Sequence, residues 1–347
     1  MKNGTKLLSL TLAVALLLTL LTGCANDYNG AADYEIIKPP VITPDANGNL
    51  TFGDQTFSVD TEQLALNLNL QSNEILDLSP LAWCTQLRYL SVNLTVTPYI
   101  FRDKVNKKHV AEMTPTDLTP LAQLKNLEHL ELNVGKFENF SAISSLTELE
   151  SLVLWIDGAV DLTPLTACGW LNYLAIGGRG TVDLTPLSKC GALTSLRVDV
   201  YDSDWTTPDL SALSGAPSLE VLQTGASNGL SQLVNVPLWK LVDLNDSADI
   251  LKNLPLLSTL ECLEFSDERL NDVQPLLNHP GVRQITLEVG AQEIDGPVEI
   301  LSADDPLLAA LNTTIPVTQL KSFLMQGGRT ITIVVDRNRT AGELKEK

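Results

Sequence analysis

The chain has 347 residues, 23 of them Lys or Arg and 42 Asp or Glu, for a net charge of −19. An acidic body of this size is one large or two ordinary domains, and its charge excludes nucleic acid and anionic lipid surfaces as favoured partners. The five cysteines include no pair at a metal-ligand spacing such as C-x-x-C, which gives no sign of a metal site, and no cofactor is expected.

The first residues are a targeting segment. Lys2 and Lys6 precede an apolar run from Leu7 to Leu21, short of the roughly 20 apolar residues of a membrane span. The run ends in Leu21-Thr22-Gly23-Cys24. In that position the tetrapeptide resembles the lipobox of bacterial lipoproteins. The resemblance implies removal of residues 1–23, lipidation of Cys24, and anchoring to the outer face of a bacterial cell membrane (the outer membrane in a diderm source). Residues 24–49 carry Pro39, Pro40, Pro44 and several Asn, Asp and Gly, with little to fill a core, and read as a flexible tether.

Residues 50–70 read as a strand-rich N-terminal cap, with Asn67-Leu68-Asn69-Leu70 as the opening strand. A repeat then takes over across 71–290. Asp77-Leu78-Ser79-Pro80-Leu81 recurs at Asp117–Leu121, Asp161–Leu165 and Asp183–Leu187, and as Asp209-Leu210-Ser211-Ala212-Leu213. The fullest copy places apolar residues at Leu118, Leu121, Leu124, Leu127, Leu130 and Leu132. Nine copies share this register at a period of about 22 residues. The copy near 230–244 aligns as Leu230, Leu233, Val236, Trp239, Val242 and Leu244. Another aligns as Leu251, Leu254, Leu257, Leu260, Leu263 and Phe265.

Each L-x-L pair suits a strand with its leucines on one face. The Ser/Thr-Pro step suits a helix start, with the preceding Asp favouring that terminus, and the three-residue apolar steps suit a 3₁₀ turn. No repeat buries its apolar face alone, so the core comes from stacking. The pattern resembles the leucine-rich repeats of the internalin-like class of bacterial surface proteins. That resemblance implies an α/β fold: a right-handed solenoid with a parallel concave sheet and short 3₁₀ or α turns on the convex side. Beyond 290 the period is lost. Residues 306–311 and 317–325 read as helices and 330–335 as a strand, forming a C-terminal cap within 291–347, with 337–347 frayed.

The register assigns the concave face. Its binding candidates are Tyr89, His129, Glu131, Trp155, Tyr173, Arg197, Asp243 and Glu264. Exposed aromatic residues are the usual anchors of interfaces. A second candidate is an insert between Val92 and Leu118 that adds about 18 residues and carries Tyr99, Phe101, Arg102, Lys107 and Lys108, basic and aromatic on an acidic protein. A smaller acidic insert spans 199–205 and does not have the spacing of an EF-hand loop. Cys84, Cys168 and Cys190 share one inward position, Cys168 and Cys190 in neighbouring repeats, whereas Cys262 falls on the concave face as a partly exposed thiol. Gly177-Gly178-Arg179-Gly180 reads as an inter-repeat turn. It lacks the Lys-Ser/Thr of a phosphate-binding loop.

His109, His129 and His279 do not cluster, and no nucleophile has a base beside it. The expected function is therefore non-catalytic: a monomeric cell-surface lipoprotein that binds a protein or peptide through its repeat surface. A passive envelope spacer and a carbohydrate-binding accessory lipoprotein are the alternatives.

Overall fold

A computed structural model of the chain describes residues 36–98, 100–102, 108–226, 228–243, 257–266, 272–290, 292, 294 and 296–335. The signal segment, Cys24 and residues 336–347 therefore lie outside the described residues.

The strands, in chain order, are β1 Asn49–Phe52, β2 Gln55–Ser58, β3 Gln63–Gln71, β4 Tyr89–Thr97, β5 Ile100–Arg102, β6 Lys108–Val110, β7 Thr116–Asp117, β8 His129–Asn133 and β9 Phe137–Glu138. They continue as β10 Ser151–Asp157, β11 Tyr173–Arg179, β12 Ser195–Tyr201, β13 Val221–Thr224, β14 Lys240–Asp243, β15 Cys262–Ser266, β16 Gln284–Val289, β17 Val298–Ile300 and β18 Thr330–Val335. Among the described residues, twelve of these form one sheet in the order β17-β18-β16-β15-β14-β13-β12-β11-β10-β8-β4-β3. Every pairing in it is parallel except β17 with β18.

One repeat-to-repeat step moves one strand along the sheet. Leu90, Leu130, Leu152, Leu174, Leu196 and Leu222 are paired in succession across the ladder. All six point inward and are at most 2% exposed. The returning segments are 3₁₀ turns, as at Ser79–Trp83, Thr119–Gln123, Thr163–Ala167 and Thr185–Lys189. A short helix, α1 (Gln274–Leu277), takes that role in the last repeat. Leu81, Leu121, Leu165 and Leu187 from the turns are fully buried against the strand leucines. Burying such a side chain contributes roughly 1.5–3 kcal/mol.

The start of five of these turns differs from the simple Ser/Thr cap. The Asp two residues earlier accepts the hydrogen bond: Asp77 from the Ser79 N–H, Asp117, Asp161 and Asp183 from the N–H of Thr119, Thr163 and Thr185, and Asp209 from Ser211. Ser or Thr is the first residue of the turn and Pro the second, where a missing N–H costs nothing.

Both ends depart from the expected boundaries. Strand β3 belongs to the main sheet and pairs with β4 over nine residues, Leu64 with Leu90 and Leu66 with Val92. The cap proper is the β1–β2 hairpin. The Gln55 side chain lies along the outer edge of β3, donating to the Ala65 carbonyl and accepting from the Asn67 N–H, and so masks part of an open edge. Residues 36–49, the described part of the segment 24–49 expected as a tether, are joined to the folded body. Ile37 pairs with Glu74, and Ile42 packs on the core. At the other end, α2 (Pro306–Ala310) and α3 (Val317–Leu324) form as the sequence indicates, and β18 continues the parallel ladder beside β16. Strand β17, which the sequence did not signal, closes the sheet.

One repeat is out of the expected register. Leu238 donates its N–H to the Val236 carbonyl at 2.8 Å, a tight turn at Pro237 that shortens this copy by one residue. Leu238 and Leu241 are therefore the inward residues, both fully buried, and Trp239 is 42% exposed. Strand β14 aligns Leu241 with Leu222 and Asp243 with Thr224, a fully buried position on the core side. Asp243 therefore takes a core-side register position and not a concave one. Lys240 and Val242 hold the concave positions.

Candidate functional site

Successive residues of a strand point to opposite faces, so the register fixes what the open face displays. One row across the sheet reads Tyr89, His129, Ser151, Tyr173, Ser195, Val221, Lys240, Cys262 and Gln284. The next reads Ser91, Glu131, Val153, Ala175, Arg197, Gln223, Val242, Glu264 and Thr286. Further along the strands come Asn93, Asn133, Trp155, Gly177 and Asp199, and then Asp157, Arg179 and Tyr201.

Within these rows the candidates form small groups. The rings of Tyr89 and His129 lie 6.4 Å apart and tilted. The Ser91 hydroxyl donates to Glu131 at 3.1 Å and accepts from Asn93 Nδ2 at the same distance. Tyr173 is half-buried between Ser151 and Ser195. Arg197 is likewise half-buried, one row further in. Glu264 forms an ion pair with Lys240 at 2.8 Å.

That ion pair runs past Cys262, which is buried and not the partly exposed thiol expected from its register. Burial pushes its thiol above the ordinary value, against the pull of Lys240 and a hydrogen bond with Thr286. Cys84, Cys168 and Cys190 are buried inward, as their shared position indicates, and burial holds the Cys84 and Cys168 thiols up at about 11. All four are free thiols. His279 is a core residue whose Nδ1 accepts from the Gly281 and Val282 N–H groups.

Trp155 stands apart from Tyr89 and Tyr173. It lies two rows away, and its indole rests over Gly177 of the neighbouring strand. The aromatic candidates therefore make two groups rather than one. Gly177–Arg179 is the end of β11 and not a turn. Gly178, at φ +115°, allows this close approach, since a Cβ there would stand 2.2 Å from the Ile156 carbonyl oxygen. The longer strands had a sequence signal in the third inward apolar residues Ile156 and Val200, both buried. That signal also finds Arg179 and Tyr201, which the L-x-L template alone leaves out.

The basic insert contains an antiparallel hairpin, β5 with β6, in which Phe101 faces His109 and Arg102 faces Lys108 in register. Tyr99 and Lys107 lie outside the described residues, and only the backbone positions of Phe101, Arg102 and Lys108 are described. In the smaller insert the Asp202 carboxylate is taken up by the loop itself, through the Asp204 and Thr206 N–H groups and the Thr206 hydroxyl. Among the described residues no group of three His, Cys, Asp or Glu side chains is placed to hold a metal ion.

The parallel ladder, its inward leucines and its 3₁₀ returns define a leucine-rich-repeat solenoid. No protein-family model matches the chain, and no curated protein matches it. Among solved structures it is similar to an internalin from Listeria monocytogenes, with 20% identity and a TM-score of 0.36 over 62% of this chain and 66% of that one, just under two thirds of its length. It is also similar to internalin C2 from the same species, with 19% identity and a TM-score of 0.31 over 68% of this chain and 87% of that one.

Proposed function

We propose that the chain is an exported lipoprotein, anchored through Cys24 to the outer face of a bacterial cell membrane, that holds a protein or peptide partner on the open face of its repeat sheet and performs no chemistry. The observation that carries this reading is the division of the sheet into two faces. The inward positions are almost wholly aliphatic. The open positions carry Tyr89, His129, Glu131, Tyr173, Arg197 and Glu264, residue types that anchor and orient interfaces. Several are already held by neighbours, Glu131 by Ser91 and Glu264 by Lys240, which lowers the ordering cost of binding.

The test uses the full chain on intact cells. A photo-crosslinking residue placed at Ser151, between His129 and Tyr173, should give one saturable protein adduct, and the same residue at Thr166 on the turn side should give none. Equal labelling at both positions, or none at either, overturns the reading. Anchoring is tested separately by metabolic labelling with an alkyne fatty acid. The label should be incorporated in the native chain and lost in Cys24→Ser.

A further inference from the structure

We infer that the C-terminal end of strands β10–β12, on the same open face but beyond the rows of Tyr89, Tyr173 and Arg197, carries a second site for the pyranose rings of an uncharged glycan. These three strands are seven residues long, whereas β8 has five and β13 four. The extra length forms a shelf on the open face. Trp155, Gly177 and Asp199 lie in register on it, with Asp157, Arg179 and Tyr201 in the row beyond.

Two flat aromatic platforms occupy the shelf. The Trp155 indole lies over Gly177 and is 41% exposed; a Cβ at Gly177 would come within 2.8 Å of the ring. The glycine thus clears the space that lets the indole lie across the sheet. The second platform is the stacked pair Tyr201 and Trp205, with ring centroids 4.7 Å apart and planes 12° apart. Trp205 is 75% exposed. Its φ is +61°, in the left-handed region that is strained for a bulky side chain. Asp202 holds that turn, accepting from the Asp204 and Thr206 N–H groups at 2.9 Å. Backbone strain is thus maintained to hold an indole in water. The stack on Tyr201 covers part of the indole and leaves Trp205 largely exposed, where a ligand can reach it.

The surroundings favour a sugar over a peptide side chain. Beside Tyr201 the cavity lined by Val198, Pro208 and Ala226 holds about 10 Å³, room for one water and not for an apolar anchor. A pyranose needs no pocket. Its C–H face rests on the electron-rich face of an aromatic ring, and its rim hydroxyls need donors and acceptors side by side. Arg179 donates and Asp157 and Asp199 accept within two adjoining rows. The net charge of −19 disfavours anionic polysaccharides, and a rim that mixes Arg179 with Asp157 and Asp199 suits an uncharged chain.

The full chain is titrated with chitohexaose, cellohexaose and maltohexaose, followed by tryptophan fluorescence and calorimetry, with a heparin hexasaccharide and a proline-rich peptide as comparators. At least one neutral hexasaccharide should bind saturably. Trp155→Ala and Trp205→Ala should each weaken binding about tenfold or more. Gly177→Ala keeps both indoles but displaces one, and should weaken binding with its melting temperature unchanged. No saturable binding of any neutral hexasaccharide, or binding retained in the Trp155→Ala/Trp205→Ala double variant, overturns the proposal. Peptide binding lost in these same variants, with no sugar bound, also overturns it and assigns the shelf to a protein ligand.

Discussion

Thr119 is bonded twice to Asp117: its backbone N–H and its hydroxyl donate to the same carboxylate oxygen at 2.9 and 2.7 Å. Asn139, from the next repeat, adds a third bond at 2.8 Å. These bonds favour the charged carboxylate and hold Asp117 below the ordinary carboxylate range. Hydroxyl and N–H donors do the same for Asp161 and Asp183. The folded pKa is lower than the unfolded one, so the stabilisation is complete above the unfolded value and is lost as pH falls through the folded value. The melting temperature should be flat between about pH 7 and pH 5 and fall below about pH 4. The triple variant Asp117→Asn/Asp161→Asn/Asp183→Asn keeps acceptors without titrating. Its melting curve, followed by circular dichroism, should show a shallower acid limb.

Leu152 lies in the middle of the stack, fully buried between Leu130 and Leu174. Leu152→Ala removes methyl groups facing both neighbouring repeats, and should lower the unfolding free energy by about 2–5 kcal/mol in a urea titration. Trp205→Ala removes a larger side chain from water and should leave the urea midpoint nearly unchanged.

Arg329 is buried at 5% exposure, over the Phe323 ring at 4.6 Å, and donates to the carbonyls of Leu276 and His279 at 3.3 and 3.1 Å. It ties the end of α1 to the C-terminal cap. Burial, with Arg283 nearby, lowers its pKa. Arg329→Ala removes both charged hydrogen bonds and the contact with the Phe323 ring, at a cost of about 1–3 kcal/mol. Hydrogen exchange should speed up in α1, α3 and β18 before any change reaches β8 or β10.

The cysteines allow a direct check on burial. With thiols covered and their ionisation suppressed, Cys84, Cys168, Cys190 and Cys262 should resist a maleimide in the native chain and all react in denaturant. Rapid native modification of Cys262 would show that the Lys240–Glu264 pair does not shield it.

Much of this architecture was legible in the residues, because a leucine's inward position depends on spacing within its own repeat. Leu118, Leu121, Leu124, Leu127, Leu130 and Leu132 announce a strand and a turn, and repetition stacks them. The same locality explains the failures. Three-residue steps turn Trp239 inward and put Asp243 on the concave face, and the two-residue step at Pro237 reverses that register within this one repeat, with the next copy resuming the expected one. In a period-two strand a slip of one residue reverses the face completely.

Spacing along the chain carried the repeat, its period and the inward leucines, and it put Tyr89, His129 and Tyr173 on one row, whereas the extent of both caps emerged only on folding. Lateral relationships arose only when the repeats stacked. Trp155 lies flat because the residue beside it, 22 positions later, is Gly177. Cys262 is covered at a position that periodicity leaves open. Tyr201 and Trp205 stack because Asp202 closes the turn between them. Each depends on what stands next to a side chain across the sheet or within a folded loop, and spacing along the chain specifies direction but not neighbours.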